Sequence, residues 1–597
     1  MPAIPEYKYK ESLDYWEKVL REEPDAKKRA ELFLQQGVKQ VDDGAVVFDP
    51  ILTCEALGEA ECADAIDMQA EAYKRIGMLW GRQYPALSLS VWRQAERLYN
   101  DLGQANEINF LKLNLALSCF LTGEKYEPLD TQLAEQFREE ARQTVRTVTE
   151  PEADASNIAS FRYTKGTIIG DAVLLRQARA FYEQEQLWDA AIQCLDEEIR
   201  LLIAAGNRRQ ALPLMQLVKQ YATTMGDAAF ARSVDENIAH IDQLQNGPRL
   251  FILPDDNKNL LDVLDLLAYT EVRVVFGKMY KAHRLASGYI PQQGKFIVLQ
   301  DGKLMPSFRE HWRMYRGESE FHADCKPTLW RKDMNDKLRF VERMKFVEFD
   351  RALRLLPEYK TFRSGFMIQD PDGRPQKVTP NVDSLGLAQH YGVKTELMDL
   401  TADKWVAAFF ASTKYNRNDD TYRPIVDETD QHGVIYHLPI RLDDVDKIHI
   451  VGAQPFERPT AQAAFMMELK RDENFNDICD DSTLFRQHPI ISLIVYHYAN
   501  RAGRLFPPEL IQRKAWQMVK QADLSFSPAT IQEARRRFPN DMDNAAFEQI
   551  ASEITVDESG ASLMPVSNQE QVPTQEHWLR HQRLCSKIET IWFGVIE

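Results

Sequence analysis

The chain has 597 residues, 44% of them apolar and 27% charged, with a formal net charge of −17. That composition supports large packed cores and excludes wholesale disorder, a fibre, a disulfide scaffold and a basic coat protein. The acidic balance argues against broad nucleic-acid binding, which needs a basic face. The opening residues, MPAIPEYKYKESLDYW, carry charges from Glu6 onward and lack the basic-then-apolar order of a secretory signal. No apolar run approaches the ~18 residues of a membrane span. The seven cysteines (Cys54, Cys62, Cys119, Cys194, Cys325, Cys479, Cys585) form no Cys-x-x-Cys pair, so neither a zinc ribbon nor a redox motif is expected. A cytoplasmic protein with reduced thiols and no membrane partner is the expectation.

From Ser12 to Leu244 the chain is rich in Ala, Leu, Gln, Glu and Arg, with apolar residues at helical spacing, as in Ile192, Leu195, Ile199 and Ile203. Gly103, Gly123, Gly206 and Gly226 read as helix stops. In WGRQY and LTGEKY a small residue precedes an aromatic by three: Gly81 before Tyr84, Gly123 before Tyr126. Such a pair lets antiparallel helices approach closely and fills the remaining gap with one ring. In AFYEQEQLWDAAI, Trp188 precedes Ala190 and Ala191. These units resemble tetratricopeptide-type helical hairpins, although Gly81 and Gly123 lie farther apart than the family's repeat of about 34 residues. Residues 1–247 are therefore expected to form a helical repeat array whose concave face takes a protein partner. A plain antiparallel helix bundle that only scaffolds the second half is the alternative.

Gly247 and Pro248 break the helical pattern. Residues 248–300 read as a mixed α/β connecting segment, with strands at RLFIL and EVRVVF (271–276) and a further strand at KFIVLQ (295–300). Residues 301–510 read as an α+β domain, with strands at GVIYHLPI (433–440) and KIHIV (447–451) and helices at 336–356 and 403–412. The polar stretch 416–433 reads as a surface loop. Residues 511–597 read as a helical tail containing a polar linker at 557–576. The overall fold class expected is multidomain: an all-α repeat array, an α+β domain and a helical tail.

The α+β part carries the specific motifs. MYRGESEF holds Tyr315, Arg316, Gly317 and Glu318 at a strand end, and KPTLWR follows. Next comes SLGLAQHYGVKTELMDLTADKWVAAFFAS, with Gln389, His390, Tyr391, Gly392, Thr395, Asp399, Thr401, Ala407, Phe409 and Ala411. RPTAQAAF then places Arg458 four residues before Gln462. This ordered set resembles the FRG domain: an aromatic-Arg-Gly strand, a Gln-His-Tyr-Gly helix end, a Thr-x-Leu-Leu-Asp-x-Thr turn, an Ala-x-Phe-Ala helix and a late Arg-x-x-x-Gln. Tyr315, Lys394, Glu396 and Met398 depart from that pattern, and Glu396 replaces a usual Arg. The resemblance implies a bacterial domain often associated with defence or toxins, without specifying a reaction.

Residue chemistry narrows the reading. Arg316 presents a planar fork suited to phosphate or carboxylate. Gly392 reads as the residue that ends the Gln389–Tyr391 helix. Asp399 and Thr401 share one face of an extended segment, and Arg458 and Gln462 share one face of a helix. The expected site therefore gathers Arg316, His390, Asp399, Thr401 and Gln462 as catalytic groups, with Tyr315, Arg316, Gly317, Gln389, Tyr391 and Arg458 around the ligand. Such a set suits a nucleotide. By analogy of order and residue type with ADP-ribosyltransferases, Arg316 holds pyrophosphate, Thr401 meets ribose, and Gln462 or Glu468 acts last, with NAD as substrate.

Plainer roles stand beside these. Arg316 pins a buried carboxylate such as Asp399, His390 packs, Thr401 and Asp403 cap a helix, and Trp405, Phe409 and Phe410 fill core. Arg535, Arg536 and Arg537 read as a solvated helix face, and the scattered His432, His437, His449 and His488 have no metal spacing. Walker A, Gly-x-Gly-x-x-Gly, Gly-x-Ser-x-Gly and His-Glu-x-x-His motifs are absent. The leading expectation is a sensor–effector in which the FRG domain handles a nucleotide. The alternatives are a non-catalytic binding scaffold and a nucleic-acid-acting protein.

Overall fold

The computed structural model describes residues 6–567 apart from 41–45, 82, 152–153, 240–258, 280–295, 299–303, 307–312, 370–374, 417, 427–430, 440–446, 453, 480 and 522–523. Two compact units divide the chain, Met1–Gly288 and Tyr289–Glu597.

The first unit is helical from Glu6 to Ala239, interrupted by one small hairpin, Val38–Gln40 with Val46–Phe48. Each helix packs mainly on its neighbours in sequence, the contact pattern of a stacked array. Asp25, Asp49, Asp130, Asp154 and Asp171 each accept backbone N–H groups at a helix start, which satisfies donors the helix cannot pair itself. Ile192, Leu195, Ile199 and Ile203 all lie in one buried cluster, as their spacing requires.

The glycines divide into two kinds. Gly103, Gly206 and Gly226 follow helices with φ of 68°, 77° and 81°, as expected of helix stops. Gly123 instead lies inside the helix Ala105–Tyr126, where a Cβ would come within 2.7 Å of the Ala134 carbonyl oxygen of the next helix. It is a crossing point rather than a stop. Gly81, expected at a crossing, ends its helix; the close approach there belongs to Gly77, whose Cβ would sit 2.7 Å from the Trp92 ring.

EVRVVF, expected as a strand, is helical. It continues the helix Leu260–Met279, which Asn259 starts by accepting from the N–H groups of Leu261 and Asp262. β-branched residues favour strands only weakly, and here the capped apolar run before them propagates the helix. Asp265 of this helix is fully buried and accepts from the Tyr126 hydroxyl (2.6 Å), Lys125 Nζ (2.7 Å) and the Leu87 N–H (2.8 Å). RLFIL lies outside the described residues.

The second unit is built on a six-stranded sheet. Its order is Ile448–Ile450, Ala464–Glu468, Leu397–Thr401, Arg313–Glu318, His432–Pro439, Asp481–Arg486. The strand pairs are antiparallel. One face carries Met314, Met398, Leu400, Val434, Tyr436 and Phe465 in a common core. The opposite face of the Leu397–Thr401 side packs on the helices Asp336–Leu353, Ser384–His390 and Leu510–Lys520. The strand expected at 295–300 is Phe296–Val298, paired with Leu304–Pro306. Part of 416–433, expected as loop, is a hairpin: Thr413–Asn416 pairs with Thr421–Pro424.

The C-terminal region holds the helices Leu510–Lys520, Pro528–Arg537 and Asn544–Glu553. In the expected linker 557–576, Leu563, Met564 and Val566 pack on the domain, while residues 558–562 are exposed. Met564 is buried, and Ser562 and the Leu563 N–H donate to Glu348. The rest of that stretch lies outside the described residues. Of the basic run, Arg536 is exposed and paired with Glu533, while Arg537 reaches the buried Asp350.

Candidate functional site

The sheet has a seam. The strand carrying Arg316 is paired along its length with His432–Pro439, but it meets the strand carrying Asp399 at one residue pair, Tyr315 opposite Thr401. Beyond that pair the two strands part, leaving two three-stranded halves joined at a point. Arg316 sits where they part. Its Nη1 donates to the Asp399 carbonyl oxygen (2.8 Å), bridging where ladder bonds stop, and its Nε donates to Glu318 (2.7 Å).

Gly317 explains the glycine after this arginine. The helix Lys404–Ser412 crosses the strand so closely that a Cβ at 317 would lie 1.7 Å from the Ala407 carbonyl oxygen. Ala407 and Ala411 are small for the same reason. Asp403 starts that helix by accepting from the Trp405 N–H (2.8 Å).

Strand alternation puts Arg316 and Glu318 on one face and Tyr315 and Gly317 on the other. Burial works against the charge of Arg316, but Glu318 and Asp399 outweigh it and raise the guanidinium pKa. Cys325 lies beside Glu318 (Sγ to Oε1, 3.7 Å), and its thiol is pushed up to about 11 by burial and by Glu318, against the opposing charge of Arg316.

Asp399 is exposed on its strand, between buried neighbours Met398 and Leu400. Gln389 donates to its carboxylate (3.2 Å) while accepting from the N–H and hydroxyl of Thr395, which fixes the amide orientation. The enclosing protein raises the Asp399 carboxyl above its ordinary value, and Arg316 and Gln389 oppose that rise. His390 is buried, and its Nε2 has no hydrogen-bond partner. Burial and then the charge of Arg458 push its pKa well below the ordinary value, so the imidazole is neutral.

Arg458 begins the next wall. Its guanidinium lies 4.6 Å over the Phe506 ring and 5.5 Å over Tyr391, and its buried Nε has no hydrogen-bond partner. Tyr422 of the hairpin stacks on Phe506 at 5.0 Å, with Phe410 edge-on to Tyr422. Glu509 holds this wall by accepting from the Tyr391 hydroxyl and from the N–H groups of Glu457 (2.7 Å) and Arg458 (3.3 Å).

Thus Arg316 and Gln389 both reach Asp399, and Arg458 lies over Tyr391 with its charge acting on His390. Other expected groups have different places. Thr401 is buried, donating to the Gln462 carbonyl (2.7 Å) and accepting from the Asp403 N–H (3.0 Å). Gln462 is buried, donating to the Leu505 carbonyl (2.9 Å). Their polar side-chain atoms tie the fold together. Tyr315 is buried and stacks on His437, and Gly317 has a structural reason of its own. Glu468 lies 3.8 Å from His449 at the far end of its strand. The plain reading of Arg316 also needs amendment: its carboxylate partner is Glu318, and Asp399 contributes its backbone carbonyl.

Sequence reasoning missed Glu318, Tyr422, Phe506 and Glu509. Glu318 carried a signal, an opposite charge two residues on along a strand and hence on the same face. The others sit on segments that only the fold brings near. Glu396, which stands where the family pattern has Arg, is bound by the buried Arg343, itself held by Asp541 and stacked 3.9 Å from Phe538.

Among the described residues, no group of three His, Cys, Asp or Glu side chains is placed to hold a metal. No described helix is long and apolar enough to cross a membrane. Neither a curated protein nor a solved structure matches the chain. The FRG domain family model matches residues 312–420. That segment holds the seam, the Gln389–Asp399 pair and the helix over Gly317, and it ends before Arg458 and Gln462. The C-terminal unit of this chain therefore contains an FRG domain, preceded in sequence by a helical N-terminal region.

Proposed function

We propose that the FRG domain binds a nucleotide at the seam and transfers ADP-ribose from NAD to an acceptor. The observation that carries this reading is the parted sheet, which leaves an open carboxylate, Asp399, between arginines and a half-buried aromatic wall. A ligand that is anionic at one end and planar at another matches such a cleft. In the transfer, the bond from ribose C1′ to nicotinamide breaks and its electron pair leaves with nicotinamide. The acceptor forms the new bond to C1′ and gives up a proton. Asp399 is the group for the last two tasks: its negative charge stabilises the cationic ribose, and its raised pKa suits proton acceptance. Within this reading the helical array recognises a protein partner that brings or controls the acceptor, as in a defence-type sensor–effector.

The test compares the full chain with Asp399→Asn in NAD and cell lysate. Nicotinamide release and label transfer by the wild type alone, with both proteins binding NAD, support the transferase. Binding without release by either supports the alternative of a ligand-binding module, which uses the same cleft. Failure of the wild type to bind any nucleotide overturns the reading. Arg316→Ala is the poorer probe, because it also strands the Glu318 carboxylate.

A further inference from the structure

Resting on the nucleotide reading, we infer that Arg458, rather than Arg316, is the arginine that binds the ligand's phosphates, with His390 beside it as a neutral hydrogen-bonding partner. The two arginines of the cleft are differently occupied. Arg316 has a carboxylate and a carbonyl on its guanidinium, so a phosphate would have to displace Glu318 from a partly buried ion pair. Among the described residues, no carboxylate pairs with Arg458. Its charge is held by two ring faces, Phe506 and Tyr391.

A guanidinium held over ring faces still has its N–H edge to offer, and a planar fork of that kind meets two phosphate oxygens. That edge is set in advance. Glu509 accepts the N–H of Arg458, and Gln462 holds the Leu505 carbonyl next to Phe506. The segment so held is strained: Asn500, Arg501 and Ala502 have φ of 48°, 54° and 71°. Three successive non-glycine residues in the left-handed region persist only where surrounding structure compels them, and such strain gathers at ligand sites.

Two polar atoms then remain for a ligand. The Nε atom of Arg458 and the Nε2 atom of His390 are buried without hydrogen-bond partners. Leaving a buried polar atom unmet is unfavourable; a bound phosphate would accept from the Arg458 Nε–H, and a ligand hydroxyl would donate to the Nε2 of the neutral His390. Arg458 lies near enough to Asp399, His390 and Tyr422 for its charge to act on all three. Arg458, Tyr422 and Phe506 all lie beyond the matched segment, 312–420. The matched core supplies the carboxylate and the extension supplies the phosphate grip.

Calorimetric titration of the full chain with ADP, adenosine and pyrophosphate tests this. Arg458→Gln is expected to weaken ADP at least tenfold and leave adenosine within twofold. Arg458→Lys, which keeps charge and loses the fork, should fall between and serves as the readout if Arg458→Gln does not fold. Wild-type binding of ADP that both variants retain within twofold overturns the inference and leaves the nucleotide reading standing. Pyrophosphate binding that depends on Arg458, with adenosine adding nothing to it, supports the phosphate grip and overturns the nucleotide reading. No binding of any of the three overturns both.

Discussion

Asp265 in the helical unit and Arg458 in the FRG unit are both charges drawn in from water, and their surroundings differ. Asp265 is fully enclosed, and a lysine, a tyrosine hydroxyl and a backbone N–H converge on its carboxylate. Arg458 is flanked by rings, keeps one buried donor unmet and has no carboxylate partner among the described residues. A buried charge with all its partners supplied from within the fold is structural. One whose partners stop short is arranged for something that arrives later. The same contrast runs through the FRG unit itself, where Thr401 and Gln462 are spent on backbone carbonyls while Asp399 stays open.

The sharpest way to break the comparison is to remove the satisfied charge. Asp265→Ala strands the Tyr126 hydroxyl and the Leu87 N–H inside the core and frees Lys125. The expected loss is roughly 3–5 kcal/mol, the usual cost of taking one partner from a buried charged network. Chemical denaturation of the full chain should show the transition of the helical unit moving, while nucleotide titration of the FRG unit stays unchanged at low denaturant. A loss below ~1 kcal/mol would mean that Asp265 is not the organising charge of its helix contacts.

Next in size is Gly317→Ala. The added methyl would fall on the Ala407 carbonyl, a backbone atom that cannot move without shifting its helix. The expected cost is about 3 kcal/mol, at the upper end for overpacking. Because the crossing helix lies over the seam, nucleotide affinity should fall with stability. An alanine variant of wild-type stability would show that helix and strand are farther apart than described.

These two residues also mark how much was legible beforehand. Asp265 sits on a helix whose end reads as strand, because Val272, Val274 and Val275 favour a strand locally and the cap that starts the helix, Asn259, lies more than ten residues before them. Gly317 belonged to a motif whose order was plain, yet spacing along the chain cannot show that a helix ninety residues on will press against it. The helical array was readable because its contacts are local, each helix meeting its neighbours through the 3.6-residue period. The cleft was readable in part. Gln389, Asp399 and Arg316 fall within one motif set, whereas Arg458 meets Phe506 and Tyr422 only through folding of distant segments. Thr401 and Gln462 have the residue types of a site and the burial of a core, and sequence alone does not separate the two.

The smallest expected effect is a pH dependence that separates the units by its slope. Glu509, behind the Arg458 wall, has a carboxyl that burial pushes up to about 7. Asp196, in the helical unit, is likewise raised to about 7 by burial and then by Glu197. For both, the folded state holds its proton more tightly than the unfolded chain does. Stability is therefore greatest below the ordinary carboxylate range, falls as pH rises toward about 7, and is flat above it. Glu509→Gln removes one of the two contributions, at the loss of one acceptor, because the N–H groups of Glu457 and Arg458 bind different carboxylate oxygens. Relative to the wild type, the variant should gain on the order of 1 kcal/mol as pH rises from 4 to 8. The difference between the two melting curves isolates Glu509, since Asp196 is common to both. His449, raised to about 10 beside Asp383, loses its contribution only as pH climbs above the ordinary histidine range, so it bears chiefly on the alkaline side. Parallel curves from pH 4 to 8 would show that Glu509 is ionised throughout. The tyrosine and two amides would then be enough to hold a charged carboxylate behind Arg458, and the wall would be fixed independently of protonation.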